Sequence, residues 1–471
     1  MKNPWVKISI LVLVYTVVFS TLDLLRHFSY SQISNDVAAF DQSLWFFTHG
    51  RGFWNSIEAM NHFGMHASPI FFLILPIYSL FPSPVTLIVL QCFATALSIP
   101  VIFLIARKVL NEKLGLHFAL LLALYHPLHG VSWDIVNELA YVIAPLLLTF
   151  YGILSERYSL LWIGSLLAMA CKEEIGLVIG FLGIWLIYHG FKSKNKPVLL
   201  HGAALTVVGF GWTVFCLTTL IPHFRGGPYR YFTMENRYET FGNSLGSILL
   251  HLITRPDQVI LTAFALPKIF YLLELLLPLG FLSLLAPGFL WMALPTAAAN
   301  LLSNASMMSM VGARYPAAMI PFIFIAAVFG VKKVIDHSQN PQISLRRIVT
   351  VQLILTILST LLFSSTPLRI GFKIPRITHH TRKVEAFIRQ IPAGSIVATQ
   401  PNFTAHFAHG CLVSSFFRAD ADSVLIDPYY PQWYRDSQMD PIKLWDHHFK
   451  LKKAEEGILL FTRGKAMSKS N

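Results

Sequence analysis

The chain has 471 residues, of which 54% are hydrophobic and only 13% charged, with a mean hydropathy of +0.56 and a formal net charge of +13. A soluble globule carries about a quarter charged residues, so this composition excludes a water-soluble enzyme and points to a chain solvated mainly by lipid. The positive charge lacks the continuous basic face of a nucleic-acid module, and no nucleic-acid partner is expected.

Lys2 and Lys7 precede an apolar run that could mimic a secretory signal, but no small-residue cleavage pattern follows, so a retained first helix is expected. Runs such as 85–106 and 345–366 are long enough to cross about 30 Å of hydrocarbon. The pattern predicts eleven spans, at 7–24, 84–106, 114–128, 138–154, 160–171, 174–190, 198–221, 258–277, 279–297, 314–331 and 347–366. With that count Arg107, Lys108, Lys113, Arg157, Lys192, Lys194, Lys196, Lys332, Lys333, Arg346 and Arg347 share one side with the N-terminus, which the positive-inside rule makes cytoplasmic. The segments 25–83, 129–137, 222–257, 298–313 and 367–471 then fall outside the cytoplasm, in a multi-pass protein of the inner (cytoplasmic) membrane. Three of the four cysteines, Cys92, Cys171 and Cys216, lie in expected spans and Cys411 stands apart, which gives neither a disulfide framework nor a CxxC metal site.

The first external segment, 25–83, is the most informative. Val37, Phe40, Leu44 and Phe47 recur at helical spacing, which predicts an amphipathic helix over 37–48 lying along the membrane, capped by Asn35 or Asp36 and ended near Gly50. Asp36 and Asp41 would stand about 140° apart on that helix and form no carboxylate pair, while Asp41 shares a face with Trp45. His62 and His66 have metal-ligand spacing, but Gly64 lies between them and the hydrolase glutamate is missing. Pro69, Pro76, Pro82 and Pro84 divide the next apolar run into a half-inserted helix at 69–80 and a true span from 84.

Charges beside long apolar runs are costly unless they face a partner or a wet cavity, which marks Glu138, Lys172, Glu173, Glu174 and Arg314 as candidates. Further candidate cations are Arg225, Arg230 and Arg237, in a 222–257 loop that could cover a site as a lid. Each has a plainer reading: Asp36 as a helix cap, Asp41 as an interfacial polar contact, Lys172 as a salt bridge to Glu173 or Glu174. The last hundred residues, 367–471, read as a small α/β domain with a helix near 381–390, strands at 395–399, 423–427 and 457–462, and a helix at 441–454. Asp420, Asp422 and Asp427 could bind a metal there, although loop acids more often belong to solvated turns.

The pattern Asp36, Phe40, Asp41, Gln42, Leu44, Trp45 and Gly50 resembles the opening signature of the membrane protein family of domain of unknown function 2079. Gly64-x-His66-x-Ser68-Pro69, Phe81-Pro82-Ser83-Pro84, Lys172-Glu173-Glu174, Ile391-Pro392-Ala393 and Val397-Ala398-Thr399-Gln400 extend the resemblance through most of the chain. Where that family carries His-Pro-Glu, this chain has Asn137-Glu138, and its Lys-Glu-Asp becomes Lys172-Glu173-Glu174. The resemblance implies a polytopic α-helical membrane protein similar to the C-type-fold (GT-C) glycosyltransferases, with residues 1–366 in the membrane domain and 367–471 as an extracytoplasmic α/β domain. It implies transfer of a sugar from a polyprenyl-phosphate donor to a hydroxyl of a glycan, lipid or protein acceptor outside the cytoplasm. Asp36 and Asp41 are then the candidate catalytic carboxylates, and His66, Glu138, Lys172, Glu173, Arg230 and Arg314 the candidate substrate-binding residues. No cofactor is specified, and a divalent metal is left open. The rival expectations are a multi-span transporter with a polar path and a non-catalytic cell-envelope interaction protein.

Overall fold

A computed structural model describes residues 3–229, 237–437, 439, 444 and 448–463. The first helix, α1 (Pro4–Phe28), starts with Pro4 behind the Asn3 cap and ends with Arg26 and His27 in its last turn. Leu13, Val14 and Val17 are exposed along one side, the face a lipid chain would cover. Four more helices are long and apolar enough to span a bilayer: Pro84–Val109, Ile175–Lys192, Lys196–Arg225 and Pro341–Phe363. Two bent pairs, Glu112–Leu124 with His126–Trp133 (48°) and Pro256–Ala263 with Leu266–Leu279 (58°), raise the number to seven if each pair is one span.

The eleven-span expectation is therefore corrected in several places. Segments 138–154 and 160–171 are short apolar helices, Glu138–Leu154 and Tyr158–Met169. The expected span at 279–297 is broken: Gly280 and Phe281 adopt positive φ (63° and 57°), and short 3-10 turns follow at Leu282–Leu285 and Pro287–Ala293. The helix expected from 314 begins only at Ile320.

Helix α2 (Asn35–Thr48) forms where expected, but it does not lie on the membrane, since Val37 to Leu44 and Phe46 are all buried. The C-terminal domain covers it: Ser34 Oγ donates to the Pro401 carbonyl at 3.0 Å, and Gln42 Nε2 donates to the Cys411 carbonyl at 2.7 Å. Its N-cap is Ser34 rather than Asn35 or Asp36. The turn that follows leads through a two-residue hairpin, β1 (Trp54–Asn55) and β2 (Met60–Asn61), to helix α3 (Phe71–Leu80). Ten residues rise about 15 Å, too short to cross, and α3 buries Phe71, Ile74 and Tyr78 while exposing Phe72, Leu73, Ile77 and Leu80.

The C-terminal domain is a mixed five-stranded sheet of order β4-β3-β5-β7-β6, built from β3 (Ile396–Thr399), β4 (Leu412–Ser414), β5 (Ser423–Ile426), β6 (Phe449–Glu455) and β7 (Ile458–Arg463). Strand β3 is parallel to both neighbours, and the β6–β7 hairpin closes the antiparallel side. Helix His379–Ile388 packs Val384 and Phe387 against Val397 and Leu425. The helix expected at 441–454 is replaced from 449 onward by β6; the hairpin turn at Glu456 and Gly457, both at positive φ, has the backbone that a two-residue connection requires. Most of 441–447 lies outside the described residues.

Candidate functional site

One end of the helical bundle gathers charges from segments far apart in sequence. Gly130, in helix His126–Trp133, lets the 311–314 loop approach so closely that a Cβ there would lie 2.1 Å from the Val311 carbonyl oxygen. This contact presents Arg314 to two carboxylates. Its Nη1 lies 2.9 Å from Asp36 Oδ2 and 3.7 Å from Asp134 Oδ2, and its backbone N–H donates to Asp134 Oδ2 at 2.8 Å. Burial disfavours the guanidinium charge, but Asp36 and Asp134 outweigh it and hold Arg314 above its ordinary range. Asp36 stands in the first turn of α2, behind the Ser34 N-cap, with its side chain 37% exposed.

Behind this pair is a buried layer. Lys172 Nζ lies 3.4 Å from Glu138 Oε1 and 3.9 Å from Glu174 Oε2. Glu173 receives His66 Nδ1 at 3.1 Å, the Ala67 N–H at 3.0 Å and the Tyr229 hydroxyl at 3.3 Å. Burial pushes the Glu173 carboxyl up, yet His66 and Lys172 carry it below its usual range. For His66, burial and Lys172 push down while Glu173 raises it, and the imidazole ends above its ordinary value. Pairing of this kind is what lets ions persist away from water. Glu58 adjoins the layer; burial lifts its carboxyl to about 7 against the Asn55 hydrogen bond, with the negative charges of Asp36 and Glu138 adding to the rise.

The structure thus brings Asp36, His66, Glu138, Lys172, Glu173 and Arg314 to one end, and Asp41 is set apart from them. Asp41 is fully buried: Tyr78 donates to its Oδ1 at 2.6 Å, and His409 Nε2 lies 2.8 Å from its Oδ2. His409 stacks on Trp45 at 4.4 Å. Asp41 therefore makes polar contacts that join α2, α3 and the C-terminal domain, away from the Asp36–Arg314 cluster. Arg230 lies outside the described residues. Arg225 reaches the Gly64 carbonyl at 3.4 Å, and Arg237 lies over the Tyr315 ring at 5.9 Å.

His62 does not join His66 in a metal site; it is buried, stacks on Phe71 at 4.5 Å and is pushed down to about 4 by burial. The three loop aspartates also separate: Asp420 pairs with Arg418, Asp422 accepts from the Ile396 N–H at 2.8 Å, and Asp427 Oδ2 meets His380 at 2.7 Å. Among the described residues no group of three or more His, Cys, Asp or Glu is arranged to hold a metal ion.

Asp134 was not singled out from sequence, although it is the one acid in the 129–137 segment; no helical or motif spacing ties it to Arg314. Beside it opens a cleft of about 550 Å³, lined by Arg26, Gln32, Trp133, Asp134, Phe372 and Lys373 among others.

The fold is similar to that of the GT-C glycosyltransferases. Crystal structures of ArnT from Cupriavidus metallidurans match at 12% identity, bound to undecaprenyl phosphate (TM-score 0.50, covering 96% of this chain and 98% of that one) and in the apo state (TM-score 0.51, 96% and 99%). The Archaeoglobus fulgidus oligosaccharyltransferase in complex with Zn and sulfate matches at 11% identity and a TM-score of 0.44, over 95% of this chain and 73% of that one. No curated protein matches the chain in sequence. Residues 26–459 match the family described as "Predicted membrane protein (DUF2079)", and the chain belongs to that family.

Proposed function

We propose that the protein transfers a sugar from a polyprenyl-phosphate donor to a hydroxyl of a glycan, lipid or protein acceptor, on the non-cytoplasmic face of the inner membrane. The C-terminal domain and the 25–83 segment face that side, and the N-terminus is cytoplasmic. The observation that carries this reading is Asp36: a partly exposed carboxylate paired with Arg314 at 2.9 Å, above a buried layer of ions. The undecaprenyl phosphate in the similar ArnT structure supports the donor class.

In the proposed step Asp36 takes the acceptor's hydroxyl proton as its oxygen bonds to the anomeric carbon. The bond from that carbon to the phosphate oxygen breaks, and its electron pair leaves with the polyprenyl phosphate. Arg314 orients Asp36 and, with Lys172, offsets negative charge on the departing phosphate. Glu138, Glu173 and His66 hold Lys172 and the adjacent loop in place.

The test is turnover of a polyprenyl-phosphate sugar, labelled in the sugar, by the purified protein in lipid vesicles, with and without a chelator. Release of polyprenyl phosphate coupled to acceptor labelling supports the reading. Passage of a solute across the vesicle wall without donor cleavage would replace it with transport.

A further inference from the structure

Directly after the membrane helix Pro341–Phe363, the chain leaves regular structure and runs as an irregular strap to helix His379–Ile388. It cannot lie far from the bilayer boundary. Two contacts hold it to the bundle: the Ile370 N–H donates to the Leu361 carbonyl at 2.9 Å, and Phe372 meets the edge of Trp133 with ring centroids 6.0 Å apart. The other apolar side chains turn outward, with Ile370 at 70%, Ile374 at 52% and Ile377 at 47% exposure, and Leu368 exposed beside them.

Between them stand Arg369, Lys373 and Arg376, all exposed. No acidic residue occurs between Phe363 and Glu385, and among the described residues these three cations have no carboxylate partner. Arg369 lies over the Phe372 ring at 5.6 Å. In water, bare aliphatic groups alternating with cations that lack a carboxylate partner would be unfavourable for the first and would leave the charge of the second uncompensated. A headgroup layer satisfies both, since aliphatic groups enter the acyl boundary while cations meet lipid phosphates.

We propose that residues 368–377 form a membrane-surface strap that binds the phosphates of anionic phospholipids through Arg369, Lys373 and Arg376, with Leu368, Ile370, Ile374 and Ile377 seated in the interface. Lys373, Ile374 and Pro375 also wall the cleft that contains Asp134, so the seated strap forms its lipid-side rim. This assignment stands whether or not the protein transfers sugars.

The native cysteines are all buried, so Ile374→Cys in the full chain can be labelled selectively with an environment-sensitive fluorophore. The protein is placed in phosphatidylcholine vesicles with and without phosphatidylglycerol, using lipids brominated near the carbonyl or near the chain end as quenchers. The expected result is shallow quenching that strengthens with phosphatidylglycerol and weakens with sodium chloride. The triple variant Arg369→Gln, Lys373→Gln, Arg376→Gln should lose that preference by about tenfold or more, each cation near the surface being worth roughly fivefold. A water-exposed, unquenched label in both vesicle types overturns the proposal. So does a phosphatidylglycerol preference unchanged in the triple variant, or selective displacement by inorganic phosphate at matched ionic strength, which would identify a free-phosphate site.

Discussion

Asp36→Asn tests the proposed chemistry with little disturbance of the fold, because asparagine keeps the size of the side chain while removing its negative charge and its ability to accept a proton. The lost contact is the Arg314 ion pair, whose side chains are 37% and 21% exposed, so after solvent screening it is worth about 1 kcal/mol or less. Loss of the acid in the first turn of α2 costs a further 0.3–1 kcal/mol, roughly. Arg314 keeps its backbone bond to Asp134 at 2.8 Å, which holds the loop. Total destabilisation should stay near 2 kcal/mol or below, whereas loss of a general base costs about 10²–10⁴ in rate, roughly 3–5 kcal/mol in barrier. The measurement is donor turnover in vesicles at matched folded protein, with a thermal melt of each variant. A variant that retains about a third of the wild-type rate removes Asp36 as the base.

Asp41→Ala should lower stability by about 1–3 kcal/mol by leaving Tyr78 and His409 without their buried acceptor, and it should expose the junction with the C-terminal domain to limited proteolysis; an unchanged digestion pattern refutes this. Gly130→Ala should cost about 1–3 kcal/mol and displace Arg314, because its methyl would meet the Val311 carbonyl, so turnover should fall more than the melt alone explains. The His66–Glu173 pair should give a stability plateau in pH. His66 is raised above its ordinary 6.5, so its contribution is full below that value and disappears as pH climbs through the folded value. Glu173 is lowered below 4.5, so its contribution is present above that value and disappears as pH falls through the folded one. Melting temperature against pH for wild type and Glu173→Gln checks this, and two parallel curves would refute it.

The membrane character, the helix in the first segment and three of the five C-terminal strands were legible from local patterns, because apolar spacing and run length are properties of neighbouring residues. The burial of α2 was not, since the surface that covers it comes from residues near 400–411. The same limit applies to the site. Glu138, Lys172 and Arg314 stood out as charges that would be expensive beside apolar runs, but their partners lie 34 and 278 positions away, as Lys172–Glu138 and Arg314–Asp36 show. Asp134 and His409 gave no such signal, being ordinary loop residues until the fold sets them against Arg314 and Asp41. Strand β6 was misread because Phe449 to Glu455 is rich in lysine, and its pairing with β7 rests on a hairpin turn formed without the usual asparagine or aspartate.

The seam between α2 and the C-terminal domain also constrains how the chain threads the membrane. Ser34 and Gln42 bond directly to Pro401 and Cys411, so those two stretches must occupy the same aqueous compartment. Helix α1, which is long and apolar enough to span a bilayer, lies between Asn3 and that compartment. With α1 as one crossing, the seam requires the two ends of the described chain to lie on opposite faces of the bilayer in either insertion direction. Two reporters, one ahead of α1 and one after β7, should then give opposite signals; matching signals would mean either that α1 does not cross or that the seam does not form in the membrane.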